Sequence, residues 1–330
     1  MANPFHHFME KIIDYAGLFP PAQLPMDEAI RNYADYRNST DEWMLSRFIC
    51  PVNRLEELKD YKDSLFNNGA PFRFSILSSN GQSQKQFFEN LNTDLETIAQ
   101  FTEYHGERVI ADALEAKIPG NVLLSADSSA TAKFLNRIAS AVEKNGPPSL
   151  TAFYEAAFPK YWKNIIKAQI RGIAEHNHYI SGARKFKRYR QAGFKLRCGG
   201  VEPHMYPTPE QVAFVIANCR IKKVSLKATA GLHHPLRHFN GPGQVKMHGF
   251  LNVFGAGILA EAHELEQHDI LEIIEDEDPK NFIFTKRAFA WKNLRASMQD
   301  IESARSNNVI SFGSCSFDEP REDLSTLKLL

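Results

Sequence analysis

Two segments of this chain place lysines where an apolar strand would otherwise run on: FKLRCGG, residues 194–200, and KATAGLHHP, residues 227–235. Side chains alternate along a strand, so Lys195 and Arg197 share one face, as do Lys227 and Thr229. An enclosed lysine is costly unless it is paired or neutral. In the chemical explanation, a neighbouring cation lowers the pKa of a lysine and frees its amine to attack a carbonyl. Lys227 is then the imine-forming amine, Lys195 and Arg197 tune it, and Glu155 or His233 moves protons. Arg197 with the Gly199 and Gly200 amides can hold a carboxylate or phosphate. Thr229 and Ser314, at the ends of two strands, complete a binding set for a small anionic carbonyl substrate. In the structural explanation, the lysines pair with Glu115, Glu155 and Asp112 in an internal salt-bridge layer.

Four of the twelve histidines, His233, His234, His238 and His248, fall in one short stretch. Imidazole is the commonest metal ligand. A divalent ion held by His233, His234 or His248 with Glu115 is therefore the alternative to a metal-free site, and it suits a hydrolase or isomerase. Neither H-E-x-x-H nor H-x-H occurs in this stretch, and HNH, 176–178, ends a predicted helix. A site without metal or other cofactor is the first expectation. Cys50, Cys198 and Cys315 all fall at predicted strand ends. A nucleophilic thiol needs a histidine partner and an oxyanion hole; packing is the expected role of these cysteines.

Such groups need a scaffold, and the chain alternates strand-like with helix-like segments. Strands are expected over 12–19, 43–50, 72–78, 108–115, 150–158, 193–200, 224–229 and 308–317. Helices are expected over 26–38, 53–66, 84–104, 128–145, 161–177 and 208–220. Asn53, Ser128 and Thr208 are the expected caps, with Pro209 in a first turn and Gly146 as a terminator. Eight strands separated by helices predict a (β/α)8 TIM-type barrel, a single α/β domain over 1–330. A doubly wound open α/β sheet alternates in the same way. Polar residues collect at the C-terminal ends of the strands, where a barrel does its chemistry. Residues 230–307 read as a long insertion between strands seven and eight, carrying a helix (HGFLNVFGAGILAEAHELEQ) and a small hairpin (NFIFTKRAFAWK).

Thirty-nine basic residues balance thirty-nine acidic ones, which predicts neither a nucleic-acid nor a membrane partner. The basic string RKFKRYR, 184–190, reads as a solvated helix face. No apolar run reaches the length of a membrane span and no secretory pattern is visible. The cysteines are scattered without C-x-x-C spacing, so reduced thiols and a cytoplasmic location are expected. The tail SFDEPREDLSTLKLL ends in an apolar run that docks on the barrel or on a second copy, which allows a homo-oligomer.

KATAG resembles the K-x-S/T-x-G string around the Schiff-base lysine of deoxyribose-phosphate-type class I aldolases. FKLRCGGV, 194–201, resembles the second lysine strand of that group, in the opposite order along the chain. This resemblance implies a lyase with Lys227 as the imine-forming amine. DYAGLFPPA (14–22), KATAGLHHP (227–235), HGFLNVFGA (248–256) and SFGSCSFDEP (311–320) together resemble an uncharacterised bacterial protein family over nearly the whole chain, a resemblance that implies no particular activity. A class I lyase or aldolase is thus the first functional expectation. A metal-dependent hydrolase or isomerase is the second, and a non-enzymatic binding or interaction protein with a structural polar layer is the third.

Overall fold

The computed structural model describes residues 3–67, 69–156, 158–241 and 245–330. Its eight parallel strands are β1 (Ile13–Tyr15), β2 (Leu45–Pro51), β3 (Phe72–Leu77), β4 (Val109–Lys117), β5 (Thr151–Glu155), β6 (Gly193–Arg197), β7 (Ser225–Thr229) and β8 (Val309–Ser314). They close into a barrel in the order β1–β8–β7–β6–β5–β4–β3–β2. Closure sets the open sheet aside, and each strand lies on a segment that the sequence marks as β. Two compact units share these strands.

One unit comprises Leu24–Asp35 and Arg47–Lys195. Alternation along β2 and β3 decides what faces where. Phe48 and Phe74 are register partners and both meet helices: Tyr33, on the helix Met26–Tyr36, lies 5.5 Å from Phe48, and Phe101, on the helix Gln84–His105, lies 5.2 Å from Phe74. Arg47, Arg73 and Ser75 therefore point to the inner face. Asp112 on β4 binds both guanidiniums, the Arg47 Nε at 2.6 Å. A register shift between β3 and β4 lets Asp112 and Glu115, three residues apart, serve the same face. The lysine partner expected for Asp112 is thus corrected to an arginine pair near the start of the strands. Burial opposes the Asp112 charge, but the two guanidiniums outweigh it and hold its carboxyl below the ordinary range.

Two of the three predicted caps in the chain need correction. Asp127, whose backbone is extended, caps the helix Ser128–Asn145 by accepting from Ser129 N at 2.8 Å, and Ser128 is already helical. Residues Val52–Tyr61 form 3-10 turns with Pro51 at the cap position, so Asn53 caps nothing. Thr208 does cap the helix Pro209–Lys222, in a capping box with Gln211. The basic string 184–190 is a loop: Lys187 and Arg188 donate their backbone N–H groups to Glu143, at 2.9 and 2.7 Å, and Arg188 Nη1 reaches the Gly146 carbonyl.

The other unit is formed by the chain up to Gln23, by Tyr36–Ser46 and by Leu196–Leu330. Here the segment between β7 and β8 carries more than one helix and a hairpin. The helix Phe250–His263 is buried throughout residues 250–260, nearly all of them apolar, and only its last turn, with Glu261 and His263, reaches solvent. It lies directly on β8: Phe250 stacks on Phe312 at 5.2 Å, and a Cβ added to Gly257 would stand 2.4 Å from Val309 Cγ1. This helix fills the place of the barrel helix between β7 and β8. Around it come an antiparallel ribbon, His238–Asn240 with Val245–Met247, and two further helices, Gln267–Glu275 and Met298–Asn307. The predicted hairpin is part of a three-stranded antiparallel sheet, Phe282–Phe284, Ala288–Trp291 and Leu294–Ser297. Among the described residues, no helix is long and apolar enough to cross a membrane.

Candidate active site at the ends of β7 and β8

Both lysines singled out by sequence are ion-paired inside the barrel. Lys195 Nζ lies 2.7 Å from Glu115 Oε2 and 2.8 Å from Glu155 Oε2, and Glu115 Oε1 accepts from Ser75 Oγ at 2.6 Å. Strand register produces the contact, since Glu155 and Lys195 are direct neighbours across β5 and β6. Burial opposes the ammonium, but the two carboxylates outweigh it, so the Lys195 pKa lies above the ordinary lysine value. Lys227 Nζ lies 2.8 Å from Asp14 Oδ2, which also accepts from Ser311 Oγ at 2.6 Å. Lys227 and Asp14 are both 0% exposed. The structural explanation named Glu115 and Glu155 as partners. Asp14 it did not pair, because β1 is three residues long and its alternation is too short to read.

The glycines after β6 have a packing reason. Arg197 Nε donates to Gly199 O at 2.8 Å, closing the turn on itself, and Cys198 N donates to Thr229 O at 2.8 Å. The turns after β6 and β7 therefore lie backbone against backbone. A Cβ on Gly199 would stand 2.9 Å from Gly231 Cα, and one on Gly231 would meet Cys198 O at the same distance. Gly200 is covered by Met205, whose Sδ a Cβ would approach to 2.4 Å. Ser314 shares the outward side of β8 with Phe312, not the inner side that carries Ser311. It is fully buried, and its Oγ accepts from Ser316 N at 3.4 Å. Thr229 is half-buried, level with Gly313 across β7 and β8.

One group of reactive side chains does converge where these two strands end. Ala230 (φ +56°) and Gly231 (φ +69°) take left-handed backbone in succession and turn the chain sharply after β7. Leu232, fully buried, anchors the turn, and His233 and His234 follow. Beyond β8, Cys315 precedes the helix Asp318–Thr326, whose first turn is held by Glu319 N donating to Ser316 Oγ at 3.1 Å. His233 Nδ1 stands 3.7 Å from Cys315 Sγ and 3.3 Å from Glu319 Oε2. His234 Nδ1 stands 2.5 Å from Asp323 Oδ2. Glu319 and Asp323 lie four residues apart on one helix face, so the adjacent histidines grip a single helix side by side. Burial opposes a charge on His233, but contacts with Cys315 and Glu319 outweigh it and hold the imidazole pKa up to about 9. Glu319 is held below the ordinary carboxylate range, chiefly by His233.

Of the metal ligands proposed from sequence, only His233 belongs to this group. His234 is committed to Asp323. His248 is fully buried, with Nε2 donating to Pro207 O at 2.7 Å, and Glu115 is bound to Lys195. Among the described residues, the histidines, cysteines and carboxylates close enough to hold an ion together are His233, Cys315 and Glu319, whose ligand atoms all lie within 4.8 Å of one another. Glu319 escaped sequence reading because its helix was not expected. The available signal was an acidic pair at i, i+4 just after a strand end, matching a histidine pair elsewhere. Cys50 and Cys198 stay in the packing role, and Cys219 joins them: all three are buried, and burial pushes the Cys198 thiol up to about 12 and the other two higher.

A closed (β/α)8 barrel with a histidine, a thiol and a carboxylate at its strand ends is compatible with the enzyme class built on this fold. No protein-family model matches the chain, and no curated protein matches it.

Proposed function

We propose that the protein is a barrel enzyme acting on a small carbonyl compound at the ends of β7 and β8, as a hydrolase or isomerase. The observation that carries this reading is the convergence of His233, Cys315 and Glu319. His233 is the acid–base group, within reach of both a thiol and a carboxylate, and Glu319 is half-exposed, which leaves the group open to solvent. Lys227 and Asp14, in the same unit, form a buried ion pair. Schiff-base lysis draws less support: Lys227 is wholly enclosed and ion-paired, and Lys195 is held as an ammonium between two carboxylates. Arg197 spends its Nε on a neighbouring carbonyl, so this reading assigns no anion to it.

The test is a panel of small esters, amides, 2-oxo acids and aldehydes, run with wild type, His233→Asn and Cys315→Ser. Turnover of at least one compound, falling by a factor of about 100 or more in His233→Asn as expected for loss of a general acid–base, supports the reading. Full turnover in both variants, or borohydride-dependent modification of Lys227, overturns it in favour of another site or of the lyase.

A further inference from the structure

We propose that His233 Nδ1, Cys315 Sγ and Glu319 Oε2 bind one divalent ion of zinc type. The metal deepens the reading above and rests on it only for its catalytic use: with Nδ1 held by an ion, the ion and the water it would activate would take over the acid–base role given to His233. Three observations point to an ion. First, both separations from the imidazole suit a tetrahedron, and the thiol and carboxylate lie within 4.8 Å of each other. With bonds of about 2.0–2.1 Å to nitrogen, 2.0–2.2 Å to oxygen and 2.3 Å to sulfur, two ligand atoms on one tetrahedral ion stand roughly 3.3–3.6 Å apart. The observed separations from Nδ1 are 3.3 Å to the carboxylate and 3.7 Å to the thiol.

Second, the imidazole–carboxylate contact is a poor hydrogen bond. A charge-assisted N–H···O bond runs about 2.7–2.9 Å, and a single Nδ1 proton points at one acceptor, not two. The 2.5 Å contact of neighbouring His234 with Asp323 shows that this loop and helix can form a tight pair. The wider triad next to it is therefore a spacing of its own. Third, the donors are a borderline-soft set, one imidazole, one thiolate and one carboxylate, which favours zinc over magnesium or calcium. Three protein ligands leave the fourth position for water or substrate, as in catalytic zinc sites. Cys315 is 7% exposed while the Glu319 side chain is 50% exposed, so the open position lies toward solvent. The His234–Asp323 pair is a positioning contact that fixes the loop to the helix before metal arrives.

Chelator-treated protein is titrated with Co2+ as a spectroscopic stand-in for Zn2+. One equivalent is expected to produce thiolate-to-cobalt charge-transfer absorption and the intense visible bands of a four-coordinate site, both reversed by Zn2+. Cys315→Ser should lose the charge-transfer absorption, and Glu319→Gln, a change at a half-exposed helix start that leaves folding intact, should weaken binding roughly 10–100-fold. Magnesium should not compete. Absence of the bands in wild type, or bands unchanged in Cys315→Ser and Glu319→Gln, overturns the proposal. Cobalt binding without turnover of any panel compound keeps the metal site and removes the enzyme reading. Turnover in metal-stripped protein without cobalt binding does the reverse.

Discussion

Replacing Lys195 by methionine tests whether the barrel interior needs this cation as structure. The side chain is 7% exposed, and its partners Glu115 and Glu155 are 1% and 8% exposed. Removing one member of a buried pair leaves uncompensated charge and costs about 3–5 kcal/mol. With unfolding entropy near 2.1 cal/mol/K per residue over 330 residues, that loss lowers Tm by roughly 4–7 °C. The pH dependence follows from the signs. In wild type the folded Lys195 pKa is raised, so its contribution is fully present below the unfolded lysine value and is lost only as pH rises through the folded one. Across the neutral range it is constant. In Lys195→Met Glu115 loses its ammonium and Glu155 keeps the exposed Lys117, 3.6 Å away, so their folded pKa values rise. The penalty is then absent below the ordinary glutamate range and grows as pH rises. Thermal melts at pH 5 and pH 8 should show the larger deficit at pH 8, and adding Glu155→Gln should shrink the difference. A deficit under about 1 kcal/mol, or one independent of pH, refutes the structural role and returns Lys195 to the chemical explanation.

Asp112→Asn removes the partner of Arg47 and Arg73; with Arg73 about a third exposed, the loss should be about 2–3 kcal/mol in denaturant melts. Because the folded Asp112 pKa is depressed, its contribution is present above the unfolded aspartate value, and the deficit should vanish as pH falls through the folded one. Among the described residues the buried His248 Nδ1 has no hydrogen-bond partner, and burial lowers its pKa to about 4. Wild-type stability should therefore fall as pH drops from about 6.5 toward 4, and His248→Gln, which keeps an N–H donor for Pro207, should reduce that fall in acid-unfolding curves. Gly257→Ala drives a methyl into Val309; overpacking of about 1–3 kcal/mol is expected, read as a lower Tm, and a neutral result means the helix is not seated on β8 as described.

The barrel was legible in the sequence because its signal repeats. Eight β-rich segments separated by helices leave few architectures, and the errors fall where local rules compete. Ser128 and Asp127 are both good caps, and the choice between them depends on which one carries extended backbone. In the 230–307 segment the helix Phe250–His263 was legible, whereas the ribbon strands and the third sheet strand, three or four residues long, are too short to show an alternation. The ion pairs were half legible. Glu155 and Lys195 sit at equivalent heights on consecutive strands, whereas Lys227 pairs with Asp14 from the far end of the chain. The rim group was the least legible, since it joins a turn after β7 to a helix after β8 that sequence read only as a docking tail.

The lysine strings drew attention because an interior cation asks for an explanation, and the barrel supplies one without chemistry. A closed parallel barrel turns every second side chain inward, and each charge placed there must meet a counter-charge. Lys227 and Lys195 meet theirs within 2.8 Å. A reactive group has the opposite requirement: part of its coordination or hydrogen bonding must stay open for substrate. His233 with Cys315 and Glu319 meets that requirement, with two long contacts at one nitrogen and one partner half in solvent. On the proposed reading the histidine pair after β7 divides its work, His234 fastening the loop to the helix and His233 facing the thiol.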